Sequence, residues 1–406
     1  MKGKLTLLFV FFIIFQAYTQ STQNWKIDLD TLENILLEKD YLFINISKKE
    51  FSYKLGLLNK NKTNKELNFW ELSNLLKSFK IPDLKLENIE FKRFPFKTKQ
   101  FKDKYHIISI HHDYNFILGY KLTKINNIKI DKILDKTKYI DDINSVSFLK
   151  YYNFTKKDTL KLSLLSDKDE KIKINLPLSE FNDEELIRII PKKEPFYLQK
   201  SDYWFWKYGI NFGQQVYFKY NVGLSKEFLQ QQKDSFKISE LTLSRQYKLP
   251  LQSIYDAPEF NELTEEVFLK FKNRRYKKLF IDFRNNKTGN VKAFNNFIKN
   301  IKDNKRINKK NRLYVFVDKS ASSSVIETIL ELKKKVKITI IGEEIKGLSC
   351  SSDEIDSFYL PNSEFKIYYP KKYFKNITLE PDVKVFTSFE NYKNGVDPIL
   401  QKALSL

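Results

Sequence analysis

The sequence of 406 residues contains a single cysteine, Cys350, and only three histidines. One cysteine forms no disulfide within the chain and supports no cysteine-based metal site. The longest apolar run lies near the N-terminus and is too short to span a bilayer comfortably as a helix. No nucleic-acid-binding motif is recognisable, so we expect no nucleic-acid partner although the net charge is +22.

The first twenty residues have the three parts of a secretory signal peptide. Residues 1–4 are basic, residues 5–15 are apolar apart from Thr6, and residues 16–20 are small or polar. No cysteine near the end of this segment supports a lipid anchor. We therefore predict a signal peptide over residues 1–20 and a periplasmic or extracellular location.

The excess of basic over acidic residues, 72 against 50, permits two interpretations. Lysine, asparagine and isoleucine are all heavily used, as the codon bias of an AT-rich genome would produce. The same excess would attract an anionic envelope surface or an acidic partner.

Residues 21–180 are predicted to contain two regions of different structure. Residues 21–85 form a helical segment, because apolar residues recur at helical spacing in 27–37 and again in 64–76, and Pro82 ends the second helix. Residues 86–180 form a compact β module.

Several patterns support the β module. Residues 105–110 are predicted to form a strand, and 116–130 two strands joined by a tight turn at Asn126-Asn127. Residues 159–165 and 171–176 alternate in polarity and predict a hairpin with one buried face. A short helix is expected near residues 129–134.

Residues 190–406 alternate between buried strands and helices. Strands are predicted over 215–220, 278–283, 313–317 and 337–341, with helices over 263–272, 291–301 and 324–332. Strands joined by crossover helices of this length predict a mainly parallel sheet. Because ligands bind at the carboxyl ends of such strands, the loops after Phe283, Val317 and Ile341 are the candidate site.

The three histidines, His106, His111 and His112, all lie in the β module, so a Ser-His-Asp triad built within residues 190–406 is excluded. His111, His112 and Asp113 suggest a metal site. Adjacent residues of a strand point to opposite faces, however, and we therefore expect no metal ion here and no cofactor.

A hydrolase site in the α/β region would need a lysine base, which burial can make neutral. The serine-rich turn after 313–317 suits such chemistry. Ser322 would stand at the start of a helix, and the backbone N–H of Ser323 would be free to stabilise an oxyanion. The same serines would also serve as ordinary helix caps.

Residues 195–402 resemble the tail-specific (C-terminal processing) serine proteases, especially the short bacterial type. The matching motifs, in chain order, are YW at 203–204, FIDFRNN at 280–286, DKSASSS at 318–324, IGE at 341–343, FYLPNS at 358–363, LEPDV at 379–383 and GVDPIL at 395–400. The β module resembles the PDZ-like domain of the family, which binds peptide ends by strand addition.

The resemblance implies a site and also shows three departures from it. The nucleophile would be Ser322, and the oxyanion donors would be the N–H of Ser323 and a backbone N–H near Gly289, the one glycine left where the family has a glycine run. Leu348 occupies the position of the base lysine, for which Lys346 is the nearest substitute. A family histidine after the helical segment aligns with Lys85 and is missing.

We therefore predict an α+β multidomain protein: a helical segment over 21–85, a PDZ-like module over 86–180 and a protease-like domain with a mainly parallel sheet over 190–406. The resemblance implies a serine-type peptidase whose activity is impaired and which binds a peptide or an unfolded protein segment. One alternative is an active Ser-Lys endopeptidase of exported proteins that uses Ser322 and Lys346. Another is a basic protein that binds the envelope surface.

Overall fold

The structure is a computed structural model in which the chain forms two compact units. One unit comprises Met1–Ile190 with Asp356–Tyr373, and the other comprises Pro191–Ile355 with Phe374–Leu406. The residues described are 24–58, 64–81, 84–87, 91–102, 104–136, 143–212, 214–247, 249–273, 276–286, 294–321, 323–348, 355–371 and 377–406. The predicted signal peptide lies outside them.

The described part of the chain contains helices and strands throughout. The helices are α1 (24–37), α2 (Lys48–Leu58), α3 (Lys65–Lys77), α4 (Ile130–Leu134), α5 (Val146–Tyr151), α6 (Lys226–Phe236), α7 (Glu240–Tyr247), α8 (Leu251–Tyr255), α9 (Phe260–Lys272), α10 (Asn295–Asp303), α11 (Ser323–Lys335), α12 (Phe389–Asn394) and α13 (Pro398–Ser405). None of these described helices has the length and apolar character needed to cross a membrane.

The strands, in chain order, are β1 (Lys85–Leu86), β2 (Phe96–Phe101), β3 (Lys104–His111), β4 (Lys121–Ile125), β5 (Ile128–Lys129), β6 (Thr159–Leu165), β7 (Lys171–Pro177), β8 (Leu186–Arg188), β9 (Phe205–Ile210), β10 (Gln215–Tyr220), β11 (Lys278–Asp282), β12 (Leu313–Val317), β13 (Thr339–Gly342), β14 (Ile345–Leu348), β15 (Ile355–Tyr359), β16 (Lys366–Pro370), β17 (Ile377–Leu379) and β18 (Val383–Lys384).

In the first unit, the two N-terminal helices predicted from apolar spacing are confirmed as α1 and α3. The side chain of Asn64 caps α3 by accepting hydrogen bonds from the backbone N–H groups of Glu66 and Leu67. A cap of this kind satisfies N–H groups that have no partner within the helix. Leu72 and Leu76 lie on its buried face, which packs into the core of the unit.

The β module consists of an antiparallel sheet in the order β2-β3-β4-β6-β7, with β5 paired to β4 and β8 paired to β3. The turn predicted at Asn126 and Asn127 is confirmed, with φ values of 49° and 67° that asparagine tolerates better than most residues. The β6–β7 hairpin is also confirmed. The strand predicted at 116–119 is wrong, because a 3-10 helix occupies His112–Ile117.

Residues Asp356–Tyr373 pack in the first unit, far along the chain from its other residues. Strands β15 and β16 form a sheet with β1. The buried carboxylate of Asp28 accepts hydrogen bonds from the N–H groups of Asn362 (2.7 Å) and Ser363 (2.8 Å). These contacts attach the segment to helix α1.

The second unit has a six-stranded sheet in the order β18-β13-β12-β11-β10-β9. Strand β9 pairs antiparallel with β10, and the remaining pairings are parallel, as the sequence predicts. All five residues of β12 are buried, because apolar clusters cover both faces of the sheet. The mixed α and β architecture with a mainly parallel sheet confirms the predicted fold class.

Candidate active site

Strands β10, β11, β12 and β13 of the second unit run parallel, so the loops that follow them lie at one edge of the sheet. This is the edge at which the sequence places the candidate site. The residues proposed for it are described only in part. Ser322 and Gly289 lie outside the described residues, Ser323 is the first residue of α11, and Lys346 lies in β14, which pairs antiparallel with β17.

The loops after β11 and β12 are joined by a hydrogen bond. The backbone N–H of Asn285 donates to the hydroxyl oxygen of Ser320 over 2.9 Å. The backbone N–H of Ser320 donates to the carboxylate of Asp318 over 3.0 Å, and its hydroxyl donates to the same carboxylate. Ser320 therefore bridges two loops, a role that the serine-rich sequence did not predict.

The loop after β11 is also attached to the end of β10. The side-chain amide of Asn286 donates to the carbonyl oxygen of Tyr220 over 2.8 Å, and Asn286 is buried. A buried amide hydrogen bond restricts a loop, because breaking it would leave a polar group with neither a protein partner nor water to bond to. The root of the predicted oxyanion loop is thus held from both sides.

Beneath these loops lies a buried ionic network of Asp282, Arg284 and Asp397. Arg284 donates two hydrogen bonds to Asp397, of 2.9 and 2.8 Å, and two from Nε to Asp282, both of 3.0 Å. Asp397 also caps α13 by accepting the N–H of Leu400 over 3.0 Å. The guanidinium group stacks on the ring of Tyr197, 4.1 Å from its centroid.

Within this network, the neighbouring charges oppose the pKa shifts that burial alone would cause. Burial alone would raise the pKa of Asp282, but Arg284 and Lys219 lower it below its usual value. Burial would likewise lower the pKa of Arg284, but Asp282 and Asp397 raise it well above its ordinary range. Asp282 and Arg284 therefore stay charged, and each of these buried charges has a partner that offsets part of its desolvation cost. Asp282 and Arg284 belong to the FIDFRNN motif and Asp397 to GVDPIL, so both motifs meet here.

Lys219 is a further ionisable group at this edge, and sequence reasoning missed it. It lies fully buried in β10, and its Nζ donates to the carbonyl oxygen of Arg284 and, over 3.4 Å, to that of Asp282. Burial lowers its pKa to about 8, although Asp282 acts in the opposite direction. The available signal was a lysine inside the otherwise apolar run of residues 216–220.

The electrostatics of Lys219 are suited to proton transfer. A neutral amine has two N–H groups, which can donate to both carbonyl oxygens while its lone pair remains available. A lysine with a pKa near neutrality is partly in this form at physiological pH, and enzymes use such lysines as bases. Lys219 thus contributes an ionisable amine beside the first residues of the loop after β11.

Comparison of the sequence with protein-family models and with curated proteins finds no match. Solved structures do match. Mature CPAF in complex with lactacystin superposes with a TM-score of 0.60 at 9% identity, covering 95% of this chain and 97% of that one. A serine-to-alanine mutant of CPAF gives 0.59 at 8% identity over 92% and 95% of the two chains, and mature CPAF alone gives 0.55.

These values establish a likeness of fold, because the identities are far too low to carry residue roles from one chain to the other. CPAF is a serine protease. The chain therefore has a fold similar to that of CPAF.

Proposed function

We propose that this chain is an exported protein that binds an extended peptide or an unfolded protein segment on a serine-protease frame, with its hydrolytic step impaired. The proposal rests on a contrast between the buried ionic network that supports the candidate site and the residues expected to perform the chemistry. The network of Asp282, Arg284 and Asp397 is complete and holds the loop after β11 in place.

The residues expected to perform the chemistry depart from the family pattern. Lys287 and Thr288 replace glycines in the predicted oxyanion loop, and glycine allows a close backbone approach that these residues allow poorly. Leu348 stands at the position of the base and accepts no proton. The buried network that supports the site is therefore present, whereas the groups that would cut a peptide bond differ from those of the family that the sequence resembles.

Peptide binding would use backbone hydrogen bonding, which depends little on the catalytic groups. The β module resembles a PDZ-like domain, and PDZ-like domains recognise extended peptides by adding a strand to a sheet edge. Export is supported by the signal-peptide pattern of residues 1–20. An exported peptide-binding protein would meet its partners in the periplasm or outside the cell.

An active Ser-Lys endopeptidase is the second candidate, and Lys219 favours it. Ser322 would attack the carbonyl carbon, a lysine would take the hydroxyl proton, and the Ser323 N–H would stabilise the oxyanion. Lys346 is the base predicted from sequence. Lys219, whose pKa is lowered to about 8 by burial, is the other lysine that we propose for this role.

The net charge of +22 supports a third candidate, a protein that binds anionic envelope surfaces. Attraction of this kind is screened by salt, so vesicle binding should weaken steeply as ionic strength rises. Peptide binding through strand addition should change much less with salt.

The decisive experiment measures hydrolysis and binding on the same proteins. Quenched fluorescent peptides and a denatured protein would be incubated with wild type and with Ser322→Ala, Lys346→Ala and Lys219→Met. Lys299→Met is the matched control, since Lys299 is exposed on α10. Binding of labelled peptides would be measured by fluorescence anisotropy.

We expect saturable peptide binding and no turnover above that of Ser322→Ala. Turnover lost in Ser322→Ala and Lys346→Ala would instead establish a Ser-Lys peptidase with the base predicted from sequence. Turnover lost in Ser322→Ala and Lys219→Met, but retained in Lys346→Ala, would assign the base to Lys219. Absence of both turnover and peptide binding would reject the proposal, and salt-sensitive vesicle binding would then support the third candidate.

A further inference from the structure

His111, His112 and Asp113 of the first unit bring three metal-binding side chains together. Their ligand atoms all lie within 4.8 Å of one another. The sequence prediction that the two histidines face apart is wrong, because β3 ends at His111 and a 3-10 helix begins at His112. The two imidazole rings lie on the same side, with centroids 4.1 Å apart and planes inclined by 32°.

The distances between donor atoms suit a shared ion. His111 Nδ1 lies 3.3 Å from one carboxylate oxygen of Asp113, and His112 Nε2 lies 3.2 Å from the other. Metal–nitrogen and metal–oxygen bonds to zinc are about 2.0–2.2 Å long, so two ligand atoms of a tetrahedral site are separated by about 3.3 Å. Both separations therefore match an edge of such a site.

The backbone under these residues is fixed, the side chains of His112 and Asp113 are exposed, and His111 Nδ1 accepts a long hydrogen bond of 3.4 Å from the N–H of Asp113. The N–H of His111 donates to the carbonyl oxygen of Pro95 over 3.0 Å, and His111 pairs with Leu186 of β8. The His111 side chain is 14% exposed, whereas those of His112 and Asp113 are 56% and 66% exposed. A metal ion bound by the partly buried His111 and by the exposed His112 and Asp113 would have space for a further water molecule or ligand.

We propose that His111, His112 and Asp113 bind one divalent transition-metal ion of the zinc class. Two imidazoles and one carboxylate are ligands that suit Zn²⁺ and Co²⁺, whereas Mg²⁺ and Ca²⁺ prefer oxygen ligands alone. Three protein ligands leave at least one coordination position open. The site lies in the β module, where β3 ends and the 3-10 helix begins.

The test is metal binding by the full chain, without any measurement of peptide turnover. The protein would be stripped with EDTA and titrated with Co²⁺, whose visible absorption reports coordination number, and then with competing Zn²⁺. Metal content after gel filtration would give the stoichiometry. The variants are His112→Ala and Asp113→Asn, both at exposed side chains where the fold tolerates substitution.

Two control variants identify unspecific binding. Asp167→Asn removes an exposed carboxylate in the β6–β7 turn of the same module, and Cys350→Ser removes the only thiol of the chain. We expect one bound equivalent in the wild type and in both controls, with affinity reduced at least about tenfold in His112→Ala and in Asp113→Asn.

Three results would overturn the proposal. They are the absence of stoichiometric binding by the wild type, binding that survives unchanged in both ligand variants, and loss of binding in either control. Circular dichroism of each variant would show whether its fold is retained. If one ligand variant failed to fold, the other would still decide the outcome.

Discussion

Replacing Lys219 with methionine should change how the stability of the second unit depends on pH. Lys219 is fully buried, and burial lowers its pKa from 10.5 to about 8. Between these two values the unfolded chain keeps a proton on this lysine that the folded chain has released. Because the unfolded state then binds more protons, the free energy of unfolding rises with pH, by up to about 1.4 kcal/mol per pH unit.

The expected size follows from the shift. From about pH 7 to about pH 9.5, the shifted pKa of Lys219 adds about 2 kcal/mol to the stability of the wild type. Lys219→Met removes this gain. It also leaves the carbonyl oxygens of Asp282 and Arg284 with one donor fewer, which costs about 1–3 kcal/mol equally at both pH values. Only the pH-dependent part of the stability difference between the wild type and Lys219→Met tests the titration of Lys219.

Other buried groups titrate above this range but cancel in the comparison. Burial raises the pKa values of Tyr197, Tyr217 and Tyr220, so these residues ionise in the unfolded chain first and lower stability above about pH 10. Wild type and variant share this contribution. Their difference therefore isolates Lys219.

The assay is equilibrium urea unfolding at several pH values, read by a brief deuterium pulse and mass spectrometry of peptides from β10 to β12. These peptides report the second unit alone. Lys299→Met, at an exposed residue of α10, should show no pH-dependent difference from the wild type. A wild-type–variant difference for Lys219 that stays constant within about 0.5 kcal/mol would refute the reasoning.

Two further substitutions test the buried networks. Arg284→Met leaves the carboxylates of Asp282 and Asp397 buried without their cation and should destabilise the second unit by about 3–5 kcal/mol in urea unfolding. The exposed Arg245→Met is its control, and equal effects of the two would contradict a role for the network. Asp28→Ala removes the acceptor of three N–H donors in residues 362–363 and should cost about 2 kcal/mol. Deuterium exchange should then rise within 355–371, and unchanged exchange there would show that Asp28 does not hold the segment.

Local patterns predicted the elements whose burial is uniform along their length. Leu313–Val317 is apolar throughout and forms β12 with the predicted ends, because a strand covered on both faces needs no polar alternation. The Asn126-Asn127 turn was predictable because both residues tolerate positive φ. Helices α6, α7 and α8 were missed, since polar and apolar residues mix there and their few buried side chains pack against distant elements.

The candidate site was predictable in its location but not in its ionic groups. Parallel strands fix which loops share an edge, and that rule needs only the order of strands and helices. The pairing of Arg284 with Asp397, 113 residues apart, depends on where α13 packs. The lowered pKa of Lys219 depends on its burial; the apolar run of residues 216–220 hints at this burial, but only the packing of the sheet establishes it.

The sequence alone determined the mixed α and β architecture, the mainly parallel sheet and the edge that carries the candidate site, because apolar periodicity and the chirality of crossovers are local properties. The tertiary structure alone decided that Asp356–Tyr373 packs in the first unit, that Ser320 bridges two loops, and that His111 and His112 face the same carboxylate. These features arise from contacts between residues distant in sequence or from the exact residue at which a strand ends. The spacing of residue types along the chain encodes neither the long-range contacts nor the residue at which a strand ends.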